Sequence, residues 1–156
     1  MASQRTAVAP ILTEEPDPVL EAVQRTARRL VALTASALLR DGSSAGVVSL
    51  PGYRILVLID GGITAPSDLA DELEVTRPAV AQILGRLVLK NLVVRHSHGE
   101  DGRRSVLSVT RKGRALIDAV TKERARRLRP ALKQLSASER DELLRGLTRL
   151  EQALAR

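Results

Sequence analysis

Between Leu92 and Val109 the hydrophobic pattern changes its period, and no other feature constrains the fold as much. Leu92 to His96 is apolar and β-branched enough for a strand, and Ser105 to Val109 reads as the returning strand. Between them Ser97-His98-Gly99-Glu100-Asp101-Gly102-Arg103 is a polar, glycine-bearing tip. On both sides of this hairpin the apolar residues recur at helical spacing. Two strands have no core of their own, so the hairpin must lean on the helices that flank it. The expected fold class is therefore mainly α with a small β-hairpin.

The helices are delimited by their punctuation. Residues 1–16 read as a frayed arm. Asp17 can cap a helix with Pro18 at its first position, ending near Arg40. Leu20, Val23, Ala27, Leu30, Val31, Ala37 and Leu38 give that helix an apolar strip, which something must cover. After the loop Asp41-Gly42-Ser43-Ser44-Ala45-Gly46, Ser49 can cap a short helix with Leu50, Tyr53, Leu56 and Val57 inward, closed at Gly61-Gly62. Ile63-Thr64 reads as an extended pair, with Thr64 as cap of a helix from Pro66 to Leu73. A tight turn at Glu74-Val75 leads to Thr76, another N-cap. The helix after it runs to about Leu89, with Val80, Ile83, Leu84 and Leu87 inward. Asn91 follows, where the chain should turn left-handed. Beyond the hairpin, Thr110 caps a long helix expected to reach about Leu128 and to be disturbed or ended by Pro130. Ser136 with Glu139 fits a capping box for a last helix carrying Leu143, Leu147, Leu150 and Leu154 on one side.

Composition narrows the partner. With 156 residues, 44% of them hydrophobic, the chain has room for one ordinary domain with helical arms and enough apolar surface for a core. There are 25 Lys and Arg against 18 Asp and Glu, a net charge of +7, and most of the excess is Arg. The planar fork of Arg suits phosphate and guanine. The chain has no Phe, no Trp and only Tyr53. Modules for RNA and single strands stack bases on aromatic rings, whereas a duplex needs no such platform. The absence of Cys excludes disulfides, thiolate metal sites and cysteine nucleophiles within the chain. No zinc motif, phosphate-binding glycine loop or nucleophile elbow is present, so neither enzyme nor cofactor is expected. No apolar run is long enough for a bilayer, and the first residues lack a secretory apolar core, which makes a cytoplasmic protein with no membrane partner the expectation.

The central order of helix, helix, tight turn, helix, strand, hairpin and strand is the plan of a winged helix-turn-helix. Three stretches, SLPGYRILVLI, APSDLADELEVTRPAVAQILGRLVLKNLVVR and DGRRSVLSVTRKGRALI, resemble the MarR (multiple antibiotic resistance regulator) family in order and spacing. The most specific part is the wing, where Asp101 and Arg103 stand ahead of Thr110 and Gly113. The resemblance implies a winged helix-turn-helix with N- and C-terminal dimerisation helices. Its parts would be the arm 1–16, a dimerisation helix and loop over 17–48, the DNA-binding domain over 49–112 and C-terminal dimerisation helices over 113–156. It also implies a sequence-specific regulator of transcription, a homodimer on a pseudo-palindromic double-stranded operator. Such a regulator would act as a repressor and be released by a small aromatic or phenolic effector. The helix from Thr76 to Leu89 would be the recognition helix. Asp101 would brace the wing and Arg103 would reach into the minor groove.

The residues expected at DNA are Arg77, Pro78, Ala79, Gln82 and Arg86 on the recognition helix and Asp101, Arg103 and Arg104 on the wing. Pro78, Ala79 and Ala81 stand where the family often offers small hydroxyls. Gly85 fills a position more often charged, and Asn91 replaces a common glycine. Base readout is thereby concentrated on Arg77, Gln82 and Arg86, the last of which could instead pair within the domain. Leu20, Val23, Leu143, Leu147, Leu150 and Leu154 are the expected dimer contacts. Tyr53 is read either as a wall of a ligand pocket or as core, with core the stronger. His96, His98 and Glu100 alternate as metal ligands would, but an exposed hairpin tip preorganises poorly, and a polar wing is the preferred reading with no metal. Arg124, Arg126, Arg127 and Arg129 read as a solvated helix end. The alternative in another functional class is a winged-helix protein-interaction module without sequence-specific DNA binding.

Overall fold

A computed structural model of the chain describes residues 17–40, 48–98 and 104–154. In chain order the elements are α1 (Pro18–Arg40), α2 (Leu50–Asp60), α3 (Pro66–Glu72), α4 (Arg77–Leu89), β1 (Val93–His98), β2 (Arg104–Val109), α5 (Arg111–Lys133) and α6 (Ala137–Leu154). The mainly helical fold with one hairpin is the architecture expected from the change of period.

The caps explain most of the boundaries. Asp17 Oδ1 accepts from Val19 N at 2.8 Å at the start of α1. Ser49, Thr76 and Thr110 accept from the backbone N–H three residues on, at Gly52, Ala79 and Gly113 respectively. At α6 the capping box closes in both directions. Ser136 N donates to Glu139 Oε2 at 2.8 Å, and Glu139 N donates to Ser136 Oγ at 3.3 Å. The Ser136 hydroxyl, which also donates to Glu139 Oε2 at 2.7 Å, and then the Ser136 amide hold the Glu139 carboxyl below its ordinary value.

Three boundary expectations need correction. Thr64 does not cap α3; Ala65 occupies the N-cap without a side-chain bond. Thr64 serves the sheet instead, its carbonyl accepting from Leu107 N at 3.0 Å and binding this extended pair to β2. Pro130 neither ends nor visibly interrupts α5, which continues to Lys133. The proline falls in the final turn, where only one ladder donor is lost before the i→i−3 bonds from Gln134 and Leu135 close the helix. Leu50 and Val57 do not point inward; both are exposed on α2. The buried arc of α2 is set by Gly52, Tyr53, Ile55, Leu56 and Ile59, and Leu50 and Val57 lie on the neighbouring arc beside Arg54.

The core is aliphatic. Ile55, Leu56, Leu69, Val80, Leu84, Leu92 and Leu107 are sealed from solvent, drawn from α2, α3, α4 and the hairpin. Each such side chain contributes about 1.5–3 kcal/mol by burial. β1 and β2 pair antiparallel from Val93 opposite Val109 to His98 opposite Arg104. α1 lies along α5 through its C-terminal half, with Thr34, Ala37 and Leu38 buried. No described residue of its N-terminal half or of α6 is buried.

Candidate nucleic-acid interface

The two helices α3 and α4 are joined by Leu73-Glu74-Val75-Thr76, and the turn is made by Glu74 at φ 52°. Leu69 and Ala70 of α3 and Val80, Leu84 and Leu87 of α4 are buried in one core, with α3 packed on α4 and α4 on α2 and β1. That packing fixes what α4 presents outward. Arg77, Pro78, Gln82 and Arg86 are exposed, and Ala79 is half-buried in the first turn. Neither Arg77 nor Arg86 forms a hydrogen bond or ion pair among the described residues, so the internal pair considered for Arg86 is absent there. α4 contains no acidic residue, and the positive end of its dipole lies at Thr76 and Arg77. Ala81 and Gly85 are exposed on the same helix, and a Cβ added at Gly85 would meet nothing within 4 Å. Leu89, at the end of α4, is 88% exposed.

The base of the hairpin is held from several sides. Asn91 adopts φ 55°, as expected for the turn after α4. Leu92 N donates to Leu87 O, Thr110 N donates to Leu92 O at 3.0 Å, and the Thr110 hydroxyl donates to Asn91 O at 2.8 Å. Lys112 Nζ donates to Lys90 O at 3.2 Å. Gly113 completes the joint, since a Cβ there would stand 2.3 Å from Leu92 O. The spacing of Thr110 and Gly113 thus has a local cause. The threonine caps α5 and ties it to the wing, and the glycine lets the helix touch the strand's backbone.

The tip of the hairpin lies outside the described residues, and Asp101 and Arg103 with it. Arg104 stands in β2 opposite His98, with its side chain outside the described set. His96 Nε2 lies 2.9 Å from Ser108 Oγ across the ladder. Among the described residues no group of three or more His, Cys, Asp or Glu could hold a metal ion, and no helix is long and apolar enough to cross a membrane.

The remaining expected residues separate into two groups. Leu20, Val23, Leu143, Leu147, Leu150 and Leu154 are all exposed, on α1 and α6. Tyr53 is buried in the core, as the stronger of its two readings expects, and its side chain also lines a groove of about 610 Å³ between α1, α2, α4 and α5. The place of Leu50 and Val57 in its lining was not foreseen, because they carry the same apolar signal as core.

The arginine cluster of α5 is more structured than a solvated helix end. Arg126 and Arg127 both donate to Glu123, at 2.7 and 3.2 Å, and Arg40 of α1 approaches the same carboxylate at 3.9 Å. Bonds from Arg126 and then Arg127 hold the Glu123 carboxyl down at about 2. Arg124 is half-buried and turned to the groove. A second tie, from Arg114 to Asp60 at 2.9 Å, fastens α5 to α2.

A MarR family model matches residues 48–104, the span from the start of α2 to the start of β2. An HTH-type transcriptional regulator of Mycobacterium bovis is 32% identical over 126 residues, covering 80% of this chain and 87% of the relative. Among solved structures, RV1404 of Mycobacterium tuberculosis superposes with a TM-score of 0.76 at 26% identity, covering 88% of this chain and 92% of that one. A mutant of S. aureus MepR, bound to an oligodeoxyribonucleotide, superposes with a TM-score of 0.62 at 20% identity, over 89% of this chain and 99% of that one. With its helix-turn-helix, its hairpin and the joint at Thr110 and Gly113, this chain belongs to the MarR family of winged helix-turn-helix transcriptional regulators, a family of regulators and not of enzymes.

Proposed function

We propose that two copies of the chain bind one face of a pseudo-palindromic DNA duplex, place their α4 helices in successive major grooves about 34 Å apart, and repress transcription by excluding polymerase. The observation that carries this reading is α4 itself: an acid-free helix, braced by α3, that holds Arg77, Gln82 and Arg86 outward with no partner among the described residues. Arg77 and Gln82 are the base-reading side chains, Pro78 and Ala79 lie against the duplex beside them, and Arg86 meets a phosphate or a base edge. Arg103 enters the flanking minor groove, Asp101 braces the tip, and Arg104 adds a phosphate contact.

The homodimer reading is supported by what the fold leaves bare. Leu143, Leu147, Leu150 and Leu154 run along α6, and Leu20 and Val23 lie exposed on the half of α1 that has no buried residue among those described. A second copy would cover both. The last element of the proposal is release of the operator by a small ligand, which requires the ligand to bind the two states of the dimer with different affinity.

Retardation of the DNA upstream of the protein's own gene, with competitor present and across a salt series, tests the assignment. If six to ten phosphates are neutralised, affinity falls roughly a thousandfold or more between 50 and 200 mM salt. A flat salt response, or no preference over competitor, would instead favour a protein-interaction module.

A further inference from the structure

Given the DNA-binding reading above, on which this rests, we infer that each copy of the chain recognises thymine by its methyl group, through Ala81 and Pro78, beside an adenine held by Gln82, so that the core of each half-site is A·T. Val80, Leu84 and Leu87 are the buried side of α4. At about 3.6 residues per turn the opposite side carries Pro78, Gln82 and Gly85, with Arg77 and Ala81 in the adjoining row. All five are exposed. Only Arg77 and Gln82 have any reach; Pro78, Ala81 and Gly85 are short.

Each base pair offers the major groove a different set of groups. Cytosine presents an amino donor and needs an acceptor. From Arg77 to Leu89 the helix RPAVAQILGRLVL contains no Ser, Thr, Asn, Asp or Glu. The Thr76 hydroxyl just ahead of it is engaged as the cap, accepting from Ala79 N at 3.4 Å. The amide oxygen of Gln82 is therefore the only side-chain acceptor that α4 turns outward. Guanine presents two acceptors, which suits the fork of Arg77. Adenine presents one acceptor and one donor, and the Gln82 amide matches both. Thymine adds a methyl group, which calls for an apolar surface with no hydrogen-bonding demand of its own. Ala81 and Pro78 supply that surface, one residue and one turn before Gln82. Their shortness has a second effect. A Cβ built at Gly85 meets nothing within 4 Å, so no side chain holds the middle of α4 away from the groove floor. Such a helix touches the floor where the floor itself projects, at the thymine methyls, and leaves a gap over cytosine, whose C5 bears only hydrogen.

The test uses the full-length protein and duplexes selected by it from a randomised pool. Selected half-sites should contain at least two A·T pairs beside a G·C pair. Thymine is then replaced by uracil one position at a time, which removes the methyl and leaves base pairing intact. At two positions in a half-site wild-type affinity should fall about threefold to fivefold, the worth of one buried methyl, while uracil in the flanks has no effect. Ala81→Gly should erase one of these two penalties and keep the other. Replacing adenine by 7-deazaadenine, which lacks the N7 acceptor, should cost about fivefold or more at one position with the wild type and nothing with Gln82→Ala. The uracil series needs only the wild-type protein, so it decides the matter even where a variant fails to fold. Uracil costing less than about twofold at every position, or a G·C core in the selected half-sites, overturns the thymine assignment. Retention of both penalties in Ala81→Gly overturns the role of Ala81, and a 7-deazaadenine penalty that survives Gln82→Ala overturns the role of Gln82. A pool from which no sequence is enriched refutes sequence-specific DNA binding itself and this assignment with it, whereas a specific site insensitive to uracil refutes the assignment alone.

Discussion

Gly113→Ala probes the joint between wing and arm with one added methyl group. A Cβ at this position would lie 2.3 Å from Leu92 O, 2.7 Å from Val109 Cγ1 and 3.2 Å from the Leu92 carbonyl carbon. Ordinary carbon–oxygen contact is about 3.3 Å, so α5 or β1 must move by roughly 1 Å. The obstructing atom is backbone, and the same oxygen already accepts from Thr110 N at 3.0 Å, so no side-chain rotation relieves the overlap. Overpacking of this kind costs about 1–3 kcal/mol, and a backbone obstacle puts it at the top of that range. Alanine's advantage over glycine within a helix returns about 0.5–1 kcal/mol. The net expectation is destabilisation by about 2 kcal/mol. Gly85→Ala is the control, because its Cβ meets nothing within 4 Å on an exposed helix; it should stabilise by about 0.5–1 kcal/mol. Urea unfolding of the DNA-free protein at fixed concentration measures both, as shifts in midpoint at constant slope. If Gly113→Ala matches or exceeds the wild type in stability, the close approach does not set the position of α5.

Leu147→Asp, at a site half exposed in the single chain, should yield monomers or insoluble protein in sedimentation, since each such leucine contributes about 1.5–3 kcal/mol when a partner covers it; a variant that stays dimeric removes α6 from the interface. Glu123→Gln should lower the melting temperature at neutral pH. Because the Glu123 carboxyl is held at about 2, below its ordinary value of 4.5, its contribution is complete above that ordinary value and fades as pH falls toward 2. The gap between variant and wild type should therefore close over that interval in a pH series of melts. Arg103→Ala should cost several-fold more operator affinity than Arg129→Ala, an exposed arginine of α5 without a described partner; equal losses would reduce the wing to diffuse charge. Arg77→Ala should relax sequence preference in a binding-site selection, where a phosphate contact would weaken all sequences alike.

What could be read from the sequence was whatever local chemistry decides. Asp17, Ser49, Thr76, Thr110 and the Ser136–Glu139 box each announce a helix start through a side chain that satisfies a nearby amide, and Asn91 announces a left-handed turn. Thr64 failed because its backbone is held to β2, where Leu107 N donates to its carbonyl, and α3 takes its N-cap one residue later at Ala65. Pro130 failed because the cost of a proline depends on how much helix follows it, and only three residues do. Leu50 and Val57 failed for a different reason. Periodicity distinguishes apolar from polar faces but not a filled apolar face from a hollow one, and the hollow here is the groove. Arg124 was hidden in a run of arginines whose neighbours found Glu123. Half-burial against a groove is a property of packing and leaves no mark on residue type. On α4 the periodicity sufficed, because Val80, Leu84 and Leu87 fix one side and leave Arg77, Gln82 and Arg86 no inward alternative.

The arrangement along α5 bears on how the separate parts of the chain can influence one another. Gly113 touches the base of the wing, Arg114 is tied to α2 through Asp60, Ile117 and Arg124 line the groove, and Glu123 meets Arg40 of α1. These contacts fall in sequence on one helix, from 113 to 124, over roughly 16 Å at 1.5 Å per residue. A helix transmits displacement and does not absorb it unless it kinks, and the one proline of α5 lies beyond all four contacts. The contact at Gly113 has no slack, so a shift of α5 along or across its axis must carry Leu92 and the wing with it. The tie at Arg114 is different: an exposed ion pair of this kind contributes about 0–1 kcal/mol and can break and re-form as α2 and α5 slide. A ligand wedged between Ile117, Arg124 and the α4 side of the groove would press on the helix between its rigid joint and its yielding one. Leu92 N is also bonded to Leu87 O of α4, and Leu107 N to Thr64 O beside α2, so the wing and α4 would turn together as one body relative to α1. Under the proposed function such a turn changes the spacing between the reading heads of two copies, and operator affinity requires that spacing to match successive grooves.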